Sequence, residues 1–137
     1  EVHKPKAPMQ QFVEIYSSMI DTVKSLGSTP VLMSLPVLDP ERFFNYVTQG
    51  LDKSNVLKWL GGTVLSIDRW HGMYNMAVFR LGAMKKVPVI DITSVFLEKK
   101  NYSEYICEDG IHPNERGHGL IEEAIMEFLQ ERRVALQ

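Results

Sequence analysis

The chain has 137 residues, of which 45% are hydrophobic, with a formal net charge of −2 and a pI near 6.1. That length allows one domain at most, with enough apolar residues to bury a core. It carries 15 Lys and Arg scattered among 17 Asp and Glu, which excludes the basic field that nucleic-acid binding requires.

A single cysteine, Cys107, excludes an internal disulfide framework and leans toward the cytoplasm, while leaving localisation open. No apolar run approaches the ~20 residues of a membrane-spanning helix, and no signal peptide is visible. Residues 1–8 are polar and proline-punctuated, so they read as a loop, with His3 solvated on it.

From Met9 to Leu26, the apolar residues Phe12, Ile15, Tyr16, Met19, Ile20, Val23 and Leu26 recur at intervals of three and four, which predicts an amphipathic helix ended by Gly27. Residues 31–35 form a short apolar run between Pro30 and Pro36, the pattern of a parallel strand covered on both faces. Asp39, Pro40 and Glu41 supply an N-cap, a first-turn proline and a first-turn acid, so a helix is expected over 40–50 with Phe43, Phe44 and Val47 inward. Ser54 is read as the cap of a short helix through Trp59, ended by Gly61 and Gly62.

Residues 37–69 therefore form an insertion beyond the carboxyl end of a strand, where open α/β sheets bind ligands. Phe43, Phe44, Trp59 and Trp70 could wall a pocket there or pack the insertion onto the body. A second long helix is expected over 70–86, with Met73, Met76 and Met84 filling core. Val87–Ile92 is the next strand, and its Asp91 is read as satisfying backbone groups in the following loop. Residues 93–108 form a loop with a helical turn at 94–99, and a last helix runs from 114 to 133 with Ile121, Ala124, Ile125, Phe128 and Leu129 inward. Gly117 and Gly119 in its first turns cost about 1 kcal/mol each against alanine, which calls for close approach to a neighbouring loop.

The chemistry concentrates in Cys107-Glu108-Asp109-Gly110-Ile111-His112-Pro113-Asn114-Glu115-Arg116-Gly117-His118. A carboxylate three residues ahead of an imidazole can accept its Nδ1 proton, which sets the tautomer and leaves Nε2 to take a proton from a nucleophile. Pro113 keeps His112 out of helical backbone angles, and Asn114 is a good N-cap for the helix that follows. Cys107 is read as a small packed residue rather than a nucleophile, because a base so close on a tight loop cannot easily face it. A metal site using Asp109, His112 and His118 lacks a convincing third helical or strand ligand, so His118 is read as a capping or loop-bridging residue and neither metal nor cofactor is expected.

This block resembles the last conserved block of the SGNH, or GDSL-type, hydrolases, over residues 109–125: Asp-Gly-Ile-His-Pro-Asn, then Gly-His, then an amphipathic helix. The resemblance implies a general-base role for His112 and an orienting role for Asp109, in an esterase or lipase acting on a small-molecule ester. The family's Gly-Asp-Ser nucleophile block, its Gly and its Gly-x-Asn oxyanion block are absent, so this chain supplies no nucleophile and no oxyanion hole. The fold implied is the C-terminal part of a three-layer α/β/α sandwich with a parallel sheet, a flavodoxin-like SGNH domain. Residues 1–137 would form part of a single domain whose N-terminal strands precede Glu1.

The element order leads to the same expectation without the family, since two parallel strands are too little sheet for three long amphipathic helices. A truncated or nicked protein is favoured over a gene encoding this part alone, and the missing N-terminal part is then a partner of the chain. The alternative reading is a non-catalytic flavodoxin-like binding or interaction domain, in which Asp109 and His112 only stabilise a loop. Oligomeric state, acyl group and alcohol are not encoded in any pattern the sequence displays.

Overall fold

A computed structural model describes residues 7–135. His3, with the first six residues of the expected N-terminal loop, lies outside the described residues. The elements in order are α1 (Met9–Ser25), β1 (Leu32–Met33), α2 (Pro40–Val47), α3 (Lys53–Trp59), α4 (Leu65–Lys85), β2 (Val89–Ile90), α5 (Ile92–Leu97), a 3-10 turn (Tyr102–Tyr105) and α6 (Glu115–Ala135). Leu32 N donates to Pro88 O at 2.9 Å and Ser34 N to Ile90 O at 2.9 Å. These bonds advance by two residues in the same direction on both strands, as in a parallel ladder. The architecture is thus mostly helical with a small parallel sheet of two strands, compatible with an α/β fold. Each strand is shorter than the apolar run that predicted it.

The chain divides into two units, one made of residues through Leu32 with Thr48–Val89, the other of Met33–Val47 with Ile90 onward. In the first unit, Ile20 of α1 packs with Leu32, Val78, Leu81 and Val87, flanked by Phe12, Val13 and Tyr16. Phe12 meets the rings of Tyr16 and Tyr74 edge-on.

Here the structure corrects two expectations about which apolar positions are inward. Only part of the α1 stripe is covered: Ile15 is 53% exposed, Met19 58%, and Leu26 is also open. The core face of α4 is Asn75, Ala77, Val78, Leu81 and Gly82, while Met73, Met76 and Met84 are exposed rather than filling core. Both errors have one cause: periodicity marks a stripe, but its width exceeds the surface that the neighbouring elements offer it.

Local signals place the short helices with small shifts. Asp52 caps α3 by accepting from Ser54 N and Asn55 N, so Ser54 is a first-turn residue and not the cap. Asp52 wins because its carboxylate can reach two amide donors at once. Thr63 Oγ1 accepts from Leu65 N, which starts α4 earlier than Trp70 and makes the end of the 37–69 segment helical. That segment also falls in both units, 37–47 in the second and 48–69 in the first.

The second unit holds two clusters. Val37, Phe96, Ile106 and Leu120 form one, and Ile90, Ile92 and Ala124 the other, with Ile121 and Val95 packed against both. Phe96, with no solvent exposure, sits in α5, where only a helical turn within a loop was expected. Asp91 caps α5, accepting from Ser94 N at 3.0 Å and Ser94 Oγ at 2.6 Å, and it accepts from buried Ser34 Oγ at 3.2 Å. It follows β2 rather than lying within a strand, and the capping explains a carboxylate after that hydrophobic run. In α6, Leu120 replaces Leu129 in the buried face, and Leu129 is exposed. In α2, Phe44 is buried but Val47 is exposed, contrary to expectation.

Candidate active site

The Asp109–His112 loop lies wholly in the second unit and is closed by its own backbone. Ile106 and Pro113 form an antiparallel bridge, Cys107 N donates to His112 O at 2.8 Å, and Gly110 N donates to Cys107 O at 3.0 Å. The last of these bonds closes a four-residue turn, Cys107 to Gly110, that carries Asp109 near its tip. Gly110 has φ +79°, and a Cβ there would lie 2.3 Å from Phe43 N, so both backbone conformation and space demand glycine.

Within the loop, Asp109 Oδ1 accepts from Ile111 N at 3.0 Å and His112 N at 3.1 Å, while Oδ2 lies 2.5 Å from His112 Nδ1. One oxygen is spent on orienting the carboxylate and the other on the ring. The His112 hydrogen bond, and then the two backbone donors, hold the Asp109 carboxyl down at about 2. The side chain of Asp109 is 18% exposed and that of His112 75%. An imidazole that donates Nδ1–H to Asp109 presents Nε2 as an acceptor on an open ring, which is the arrangement a general base needs.

The loop then hands over to α6. Asn114 Oδ1 accepts from Gly117 N at 3.1 Å, and Asn114 Nδ2 donates to Glu104 O at 2.9 Å, so the expected cap also ties the helix start to the 3-10 turn. Gly117 is needed for close approach, since a Cβ there would lie 2.3 Å from Tyr105 O. Gly119 has nothing within 4 Å, and nothing in the structure explains it. Cys107 is half-buried with Sγ 3.6 Å from Pro113 O, a packed position at the end of the loop. His118 is exposed on α6, and among the described residues no three His, Cys, Asp or Glu side chains converge.

Other residues singled out in the sequence are not gathered here. Phe43 and Phe44 belong to the second unit, Trp59 and Trp70 to the first, and Trp59 is exposed. Neither unit therefore assembles the four aromatics into a wall. What sequence reasoning missed is the support beneath the loop: Arg42 and Ser103, and a second use for Asp39 beyond capping α2. Arg42 Nη1 donates to the carbonyl oxygens of Ser103, Ile106 and Cys107, and Ser103 Oγ donates to Asp39 Oδ2. The one available signal was Arg42 following an N-cap in the first helical turn, where a cation opposes the helix dipole and needs another reason to be there.

No family model matches this chain, and no curated protein matches it. Among solved structures it is similar to a lipase/acylhydrolase from Enterococcus faecalis, at 20% identity and a TM-score of 0.58, over 90% of this chain and 52% of that one. The chain thus spans about half the length of that protein. At this identity the likeness is one of fold, and the chain has a lipase/acylhydrolase-like fold.

Proposed function

We propose that the protein to which this chain belongs is a serine hydrolase of the SGNH type that cleaves carboxylic esters, and that this chain is the C-terminal part of its single three-layer α/β/α domain. The observation that carries the reading is the 2.5 Å contact between Asp109 Oδ2 and His112 Nδ1 beneath an imidazole whose side chain is 75% exposed. A serine hydroxyl attacks the acyl carbonyl while His112 Nε2 takes its proton. The protonated imidazole, held by Asp109, then returns that proton to the leaving alkoxide, and water repeats the cycle on the acyl-enzyme. Preorganised N–H donors stabilise the oxyanion. Asp109 remains ionised throughout, in keeping with its depressed titration.

Nucleophile and oxyanion donors are proposed to come from residues preceding Glu1, which add parallel strands to the sheet. Three observations support this. The sequence contains no Gly-Asp-Ser, the fold neighbour is about twice as long as the part matched, and Ile15 and Met19 leave an apolar face of α1 uncovered. The 137-residue chain alone is then inactive.

The test is a fluorophosphonate probe on the full-length protein. Labelling of a serine that His112→Ala abolishes is the expected result. No labelling of a folded full-length protein refutes the hydrolase and leaves a non-catalytic binding or interaction domain, whereas labelling that survives His112→Ala refutes the role given to that residue.

A further inference from the structure

The turn that presents Asp109 is gripped at both ends by the first turn of α2. At one end, Asp39 N donates to Gly110 O at 2.8 Å. At the other, Arg42 Nη1 donates to Cys107 O at 3.2 Å, the same carbonyl that accepts from Gly110 N to close the turn. The guanidinium nitrogen is shared with Ile106 O and Ser103 O, each at 3.0 Å. Three carbonyl dipoles converge on one cation, an arrangement that would be repulsive without it.

Arg42 is itself held by Asp39. Its Nε lies 3.8 Å from Asp39 Oδ2, its backbone N donates to Asp39 Oδ1 at 3.0 Å, and Oδ2 also accepts from Ser103 Oγ at 2.9 Å. The residue that caps α2 therefore also orients the guanidinium and anchors the segment leading into the loop. Among the described residues no hydrogen bond or ion pair joins Asp39 or Arg42 to Asp109 or His112, so their influence on the pair runs through the backbone of residues 103–110.

We propose that Asp39 and Arg42 are positioning residues that clamp the Cys107–Gly110 turn and thereby set the reach of the Asp109 carboxylate to His112 Nδ1. This rests on the reading of Asp109 and His112 as an orienting acid and a general base, but it is measurable without turnover. An arginine that only stabilised the fold would change the unfolding midpoint and leave the pair in the folded protein as it was. A positioning arginine changes the pair itself, because a turn free to open lets Oδ2 drift from Nδ1, and a hydrogen bond is lost within a few tenths of an ångström.

The experiment is the titration of the Asp109 side-chain carboxyl by 13C NMR in the folded full-length protein, comparing wild type, Arg42→Met and Ser103→Ala. Arg42→Met keeps the aliphatic stem and removes every donor. The expected result is a midpoint that moves from about 2 toward 3.8, together with loss of the low-field His112 Nδ1–H signal. A midpoint in folded Arg42→Met that stays with wild type overturns the proposal. Should Arg42→Met fail to fold, Ser103→Ala carries the decision, since it removes only the hydroxyl that fastens Asp39: a raised midpoint supports the clamp and an unchanged one overturns it. If the midpoint moves while the fluorophosphonate probe never labels, the clamp stands and the hydrolase reading falls. If labelling depends on His112 while the midpoint stays put, the hydrolase reading stands and the clamp falls.

Discussion

Replacing Gly110 by alanine should do far more damage than the same change at Gly50, although both glycines have nearly the same backbone angle. Gly110 has φ +79° and Gly50 φ +75°, so the left-handed conformation costs each alanine about 1–2 kcal/mol. There the likeness ends. A Cβ at Gly50 meets nothing within 4 Å, whereas one at Gly110 lies 2.3 Å from Phe43 N and 2.8 Å from both Asp39 O and Phe43 Cα. All three are backbone atoms of α2 or its cap and cannot rotate aside. Relieving the overlap means pushing the turn away from α2, at about 1–3 kcal/mol for overpacking, and stretching the Asp39 N to Gly110 O bond, worth about 0.5–1.5 kcal/mol.

Gly110→Ala should therefore cost about 2.5–6.5 kcal/mol and Gly50→Ala about 1–2 kcal/mol. Urea unfolding of both variants, followed by circular dichroism, gives the difference directly, and using two alanines cancels the change in unfolded-chain entropy. Equal losses at the two sites would refute the close approach of α2 to the Asp109 turn.

Asp109 titrates near 2 when folded against an ordinary 3.8, so its contribution to stability is fully present above the ordinary value and is lost as pH falls from there through about 2. Asp109→Asn should flatten the fall in urea midpoint over that interval, and a slope identical to wild type would contradict the hydrogen bonds assigned to it. Met19→Lys on the open face of α1 should cost the full-length protein about 1.5–3 kcal/mol if further strands cover that face. A change within about 0.5 kcal/mol, the usual range for a surface site, would mean that the face stays open.

Much of the candidate site was legible because it is local. Asp109 and His112 stand three residues apart on one loop, with Pro113 and Asn114 after them, and covalent proximity alone limits where two such side chains can go. The caps at Asp39 and Asn114 and the stop at Gly27 were equally local: the side-chain capping bonds to Arg42 N and Gly117 N each span three residues, and so does the bond from Gly27 N to Lys24 O. α4 was foreseen from its helical spacing, but its methionines were assigned to core because periodicity reports that a helix has an apolar side and not what lies against it.

The sequence by itself determined the order of the longer helices and the two strands and the pairing of an acid with an imidazole, since both follow from patterns a few residues long. Only the tertiary structure decided that Arg42 reaches carbonyls 61–65 residues away, that Gly110 is wedged against Phe43, and that Ile15, Met19 and Leu26 of the α1 stripe are left exposed. Those depend on how elements distant in sequence approach each other, and no spacing within a single element encodes the distance to another.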